Sequence, residues 1–232
     1  RIFNQADILG LWPWSQKQPD PPTFTTETKK CPDKNTISVV VRRSNEITVD
    51  ADGSPRAYHP KNIGLDDNRN GGIGKDNYGI VSPDVIQGKN DPAPGYYVSV
   101  TALFDPRKKK TDPRRYVNSE VIPYLVFNKE DRKKGAKAGD YATVTKKMPN
   151  GDLLIVHAIV ADYNPYSKGE GSIKLVKELG GNPDPRRGGV KCKEGFTIYV
   201  YPGTAEKFDS DKVSHETIQK KGKEIWDKQH NK

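Results

Sequence analysis

Runs of β-branched and aromatic residues, each about the length of one strand, alternate with glycine, proline, asparagine and aspartate along most of the chain. No other feature restricts the fold as much. Strand-like runs fall at 36–41, 47–50, 78–81, 96–103, 121–127, 141–146, 153–162 and 196–201. With 21 Gly and 18 Pro among 232 residues, turns come too often for long helices and suit short strands. One internal helix is expected. It starts at Ser172, a good N-cap, puts Ile173, Leu175, Val176 and Leu179 on one face, and stops at Gly180-Gly181. A second, more polar helix is expected from about Ser214 to Trp226, weakened by Gly222. No repeat-length period is present. The length suits one sizeable core with extensions.

Three segments follow from these boundaries: a Pro-rich arm over 1–35, a β-barrel domain over 36–204 and a polar helix or tail over 205–232. The prolines of "LWPWSQKQPDPPTF" forbid a regular helix or central strand, so the arm is expected to pack on the core. Trp12 and Trp14 read as its anchors rather than as sugar-stacking residues. Cys31 and Cys192, the only cysteines, lack the count and spacing of a zinc site. Two readings stay open: a disulfide tying the arm to the last core strand, which suits a secreted protein, or two reduced thiols. The sequence starts at Arg1 and its only methionine is Met148, so an initiating segment, with any signal peptide, is expected to have been removed. No apolar run approaches the roughly 18 residues that span a bilayer, and no membrane partner is expected.

The net charge of +9 points toward an anionic partner, but its distribution argues otherwise. Basic residues gather in "DPRKKKTDPRR" (105–115), "DRKKGAK" (131–137) and the tail, which read as loops or solvated faces. They carry no interleaved aromatics for base stacking, so nucleic acid is not an expected partner. Between residues 45 and 104 Asp and Glu outnumber Lys and Arg, with Asp50, Asp52, Asp66, Asp67 and Asp91 among them. A basic back and an acidic working face are expected.

Several chemistries drop out. "NGGIGKDNYG" has Arg69 where a phosphate loop needs its first glycine and Asp76 after the Lys, so it reads as a turn-rich loop. There is no G-x-S-x-G elbow and no histidine pair at i, i+4 for a metal; neither metal nor cofactor is expected. His157, inside "LLIVHAIVAD", reads as a core residue, whereas His59 could face a groove. Carboxylates remain. Asp162 ends an apolar strand, where desolvation would raise its pKa, and Glu170 precedes the helix at Ser172, whose dipole would favour a charged carboxylate. Such a pair suits the acid and base of glycoside hydrolysis. A turn residue and a helix-end charge would look the same.

The order of "GDYATVTKKMPNGDLLIVHAIVADYNP", a short helix and "GFTIYVYPG" resembles double-psi β-barrel domains. The expected fold is therefore mainly β: a double-psi-like β-barrel core with one short internal helix, a Pro-rich N-terminal arm and a C-terminal helix. More specifically, "DADGSPRAYHP", "GLDDNRNGG", "YGIV", "NDPAPGYYVSVTAL", "DPRRYVNSEVIPYLVF", "GDYATV" and "AIVADYNPYSKGEGSIKLVKELG", in this order across roughly 50–204, resemble glycoside hydrolase family 75 chitosanases.

That resemblance implies a secreted inverting endo-chitosanase cutting β-1,4 linkages between glucosamine units, with Asp162 and Glu170 as the catalytic pair. The eight positions between them can bring carboxyls to the roughly 6.5–9.5 Å that inversion requires. Asp162 is assigned as acid and Glu170 as base, the reverse remaining open. Asp52, Asp66, Tyr78, Gln87, Tyr97, Ser99, Asn118 and Glu120 lie in the resembling motifs and are the expected sugar-binding residues. Chitosan and glucosamine oligosaccharides are then the partners, and a monomer is the default. The segment "NRNGGIGKDNYG" departs from the family's usual Asn-Ala-Gly pattern, and +9 is an unexpected charge for a protein acting on a polycation. Two other readings keep the barrel: an expansin-like non-catalytic polysaccharide binder, and a lytic enzyme acting on peptidoglycan.

Overall fold

The longest strand determines the architecture. In the computed structural model, which describes residues 25–27 and 37–230, the runs expected at 36–41 and 47–50 merge into one twelve-residue strand, β2 (Val39–Asp50). A register shift between Ser44 and Glu46 is what splits the sequence pattern in two. Before this bulge β2 pairs antiparallel with β7 (Val190–Tyr201), Val40 opposite Val200. Beyond it β2 also runs parallel to β6 (Glu170–Ser172), with Thr48 opposite Glu170 and Asp50 opposite Ser172. A bulge turns a strand and increases its twist, which lets one strand serve two neighbours.

The remaining strands are β1 (Thr25–Glu27), β3 (Tyr124–Phe127), β4 (Tyr141–Lys147) and β5 (Leu153–Tyr163). The order β1-β2-β6-β3-β5-β4-β7 closes on itself because β7 also pairs with β2, giving a six-stranded barrel with β1 outside it on β2. The expected mainly β barrel is present. Two of its pairings are parallel, β2 with β6 and β3 with β5; the others are antiparallel. Val40, Ile47, Val49, Leu125, Val144, Val156, Val160, Phe196 and Ile198 belong to its apolar core, and Leu175, Val176 and Leu179 of α2 (Ile173–Glu178) pack on the same cluster. Ser172 caps α2 as expected, its Oγ accepting from the Leu175 N–H at 3.1 Å.

Other elements differ from expectation. The runs at 78–81 and 96–103 are not strands; only isolated bridges join Ile80 to Ser99 and Ile86 to Tyr97. Turn residues recur too closely for a ladder, and side chains such as Gln87 bond backbone carbonyls instead. The strand expected from 121 begins at Tyr124, after Pro123. "DRKKGAK" contributes to a second short helix, α1 (Lys129–Lys133), with a reciprocal capping box between Asn128 and Asp131. α3 (His215–His230) outlasts its expected end at Trp226. Gly222 is where α3 presses on β5, since a Cβ there would lie 2.4 Å from the Cβ of His157. His157 is accordingly buried, bonded to Thr143 at 3.0 Å. The expected packing of Trp12 and Trp14, and the Cys31 end of the expected disulfide, lie outside the described residues; Cys192 is half-buried on β7.

Candidate active site

Barrel closure brings together strand ends that are far apart in sequence. β2 ends at Asp50, β5 reaches Asp162 just before its end, and β6 begins at Glu170. Between the last two lies β3. Its Val126 stands opposite Asp162 on the β5 side, and the antiparallel register that sets Leu125 against Gly171 carries Glu170 to the other side of Val126. The two acidic residues are thus two strand spacings apart, about 9.6 Å at the backbone. Both side chains open into one cleft of about 810 Å³, whose lining includes Asp50, Asp52, Tyr58, Asp66, Asn70, Tyr78, Val126, Asn164, Tyr166, Arg186 and Arg187.

The environments of the pair differ. Asp162 Oδ1 accepts two backbone N–H groups, from Tyr163 at 2.8 Å and Ala102 at 3.0 Å, so the carboxyl is fixed in orientation. Burial raises its pKa to about 7, and Glu170 adds to the rise. Glu170 stands just ahead of the helix capped by Ser172, as expected, on a short strand that was not; burial raises its pKa too, opposed by hydrogen bonding from Asn164 and by the Arg42 charge. Asn164 Nδ2 donates to Glu170 Oε2 at 3.0 Å. Arg42 is 1% exposed, pairs with the buried Asp131 at 3.4 Å and donates to the Val126 carbonyl at 3.0 Å. A buried guanidinium therefore favours the ionised form of Glu170, and no ion pair reaches Asp162 among the described residues.

Asp52 and Asp66 line the cleft, both buried. Tyr78 lines it with 61% of its surface exposed, as an aromatic face open to a ligand. Ser99 lies behind Asp52, its Oγ 3.3 Å from Asp52 Oδ1. Neither Ser99 nor the other four reach the cleft lining. Gln87 is buried, its amide bonding the Pro55 and Tyr97 carbonyls and the Ala93 N–H. Tyr97 belongs to a small core with Ala57, Tyr58 and Ile80. Asn118 accepts the Glu120 N–H in a turn, and Glu120 bonds Ser54 and Arg56. His59 packs edge-on against Tyr96 and is likewise outside the lining.

Residues the sequence did not propose as ligand-binding complete the site. Asp50, named only among the acids of the expected acidic face, stands two positions before Asp52 at the end of β2. Tyr58 bonds Asp52, and Tyr166, 89% exposed, is a second aromatic at the cleft. One wall departs from the expected acidic working face. Arg186 lines it, but its Nη2 donates to the carbonyls of Asn62, Gly64 and Asp66 at 2.8, 3.1 and 2.9 Å, pinning that loop. Arg187 beside it has no such ties among the described residues.

No protein-family model matches the chain, and no curated protein is significantly similar to it.

Proposed function

We propose that the protein is an endo-acting chitosanase that hydrolyses β-1,4 linkages between glucosamine units with inversion. Asp162 gives its proton to the leaving oxygen, and Glu170 takes a proton from the attacking water. The observation that carries this reading is the placement of Asp162 and Glu170 on either side of Val126, two strand spacings apart and open to one cleft. Retaining chemistry needs carboxyls about 5 Å apart; backbones about 9.6 Å apart suit the wider separation at which a water fits between base and sugar carbon. The roles follow from the surroundings. Asp162 holds its proton near neutrality, and Glu170 has Asn164 and Arg42 to favour its charge. Asp50, Asp52 and Asp66 give the floor the sign that a glucosamine polymer, cationic in mildly acidic solution, would seek. Tyr78 and Tyr166 offer open rings for pyranose faces.

Oligosaccharide release from soluble chitosan, followed by the anomeric configuration of the first products in proton NMR, tests this. Initial products of α configuration are expected. Products of β configuration would overturn inversion, and release from peptidoglycan instead would favour the lytic reading. Retention of a glycan without release of sugar would favour the expansin-like binder.

A further inference from the structure

Three carboxyl groups meet on the cleft floor. An oxygen from each of Asp50, Asp52 and Asp162 lies within 4.8 Å of the others. Asp50 and Asp52 are 8% and 9% exposed, and among the described residues none of the three is ion-paired. Three carboxylates this close and this dry do not all ionise at neutral pH, so the cluster retains a proton.

The hydrogen bonds restrict where that proton sits. Asp162 Oδ1 already accepts two N–H groups, which leaves Oδ2 as the oxygen able to bear it. Asp50 Oδ1 accepts the Asp52 N–H at 2.8 Å, which fixes the Asp50 carboxyl against the Asp52 backbone. The Asp52 carboxyl has Tyr58 and Asp162 beside it, with Ser99 Oγ 3.3 Å from its Oδ1. Ser99 is held in turn, accepting the Gly53 N–H at 3.0 Å and donating to the Gly79 carbonyl at 2.9 Å. The backbone closes the space behind, since a Cβ at Gly79 would come within 2.9 Å of Asp52 Oδ1.

We propose that Asp52 is a positioning residue for the acid: Asp52 and Asp162 share one proton, which leaves from Asp162 Oδ2 when the glycosidic bond breaks. This rests on the hydrolase reading of the cleft. The step balances. The proton goes to the glycosidic oxygen, the electrons of the C–O bond leave with that oxygen, water adds to the carbon, and Glu170 accepts the proton that water gives up. Solvent then returns one proton to the pair. At the moment of transfer the pair becomes doubly negative beside a sugar carbon becoming cationic, so charge develops where opposite charge is already placed.

The groups facing the pair are Asp50 from β2, Tyr58 and Asp66 from the following loop, Tyr124 from β3 and Glu170 from β6. Burial first, and then Asp50 and Asp162, push Asp52 well above the ordinary carboxylate range.

The test combines kinetics with direct titration. Wild type, Asp50→Asn and Asp52→Asn are compared for kcat/KM across pH on a glucosamine hexamer, and carboxyl carbons are titrated by ¹³C NMR in the unliganded protein. In Asp52→Asn the alkaline limb should move by roughly one pH unit or more, because the coupling between Asp162 and Asp52 is gone. A purely structural role would lower the rate without moving the limb. In the wild type, a shared proton makes both carboxyls titrate in two common steps. Independent single-step curves, or an unmoved limb in a folded Asp52→Asn, would overturn the proposal. If Asp52→Asn does not fold, the wild-type titration alone decides. A coupled titration in a protein that cuts no chitosan would leave the shared proton standing and the hydrolase reading refuted.

Discussion

Two groups of three carboxylates lie on this protein, and they have opposite chemistry. Asp105, Asp209 and Asp211 gather as closely as Asp50, Asp52 and Asp162. Arg107 reaches all three members of the first group, and Lys108 bonds Asp211 at 2.8 Å. Hydrogen bonding from Arg107 to both oxygens holds the Asp105 carboxyl far below its usual range, and the Ser210 N–H and hydroxyl add two donors to Oδ2. The cleft group has no such cation, and burial pushes its members upward. Proximity of acids is therefore not what distinguishes a reactive cluster. The presence or absence of a paired cation is, because only an unpaired buried carboxylate keeps a proton at neutral pH.

The sharpest way to test this contrast is to neutralise both clusters. Asp162→Asn and Glu170→Gln should each lower chitosan hydrolysis by about 10³-fold or more with the circular dichroism spectrum unchanged. Asp105→Asn should leave the activity of the folded fraction intact. Arg107→Ala should act in the opposite sense. It strands the fully buried Asp105 carboxyl, so the melting temperature should fall by several degrees while activity per folded molecule persists.

The two clusters should also impose opposite pH slopes on stability. The folded-state value of Asp162, about 7, lies above the unfolded 3.8, so the native state binds the extra proton and stability falls as pH rises through that window. Asp105 has a depressed folded value, and its contribution is present above the unfolded value and lost as pH falls. Asp162→Asn should thus be more stable than wild type in denaturant melts at pH 8, with the gain vanishing near pH 4.

Geometry gives a smaller effect. Gly79→Ala would put a Cβ 2.7 Å from Gly71 Cα and 2.9 Å from Asp52 Oδ1, displacing the cleft floor. A fall of about tenfold in kcat/KM is expected, since acid and base lose their alignment. Tyr166→Ala, at the open rim, should raise KM about threefold and leave kcat nearly unchanged, as removal of uniform sugar stacking does.

Much of the barrel was legible because its signals are local. The Pro-Asn-Gly-Asp turn joins β4 to β5 as expected, with the Met148 N–H donating to the Asp152 carbonyl at 2.8 Å and Gly151 at φ 90°. Ser172 and its apolar stripe specify α2. The expected strands at 78–81 and 96–103 failed where the same residue types serve a loop layer held by side chains. The basic run at 105–115 read as solvated, yet Arg115 is buried, its guanidinium bonding the carbonyls of Asp105 and Lys108.

The sequence by itself determined most barrel strands, the β4–β5 turn and the α2 cap, and that Asp162 closes a strand while Glu170 precedes a helix, because backbone sterics and short hydrogen bonds act within a few residues. Only the tertiary structure decided that β3 stands between those two residues, that Asp50 and Asp52 join Asp162, and that Arg42 serves Glu170 while Arg107 serves Asp105. Burial and charge act through space, and the distances through which they act are set by barrel closure.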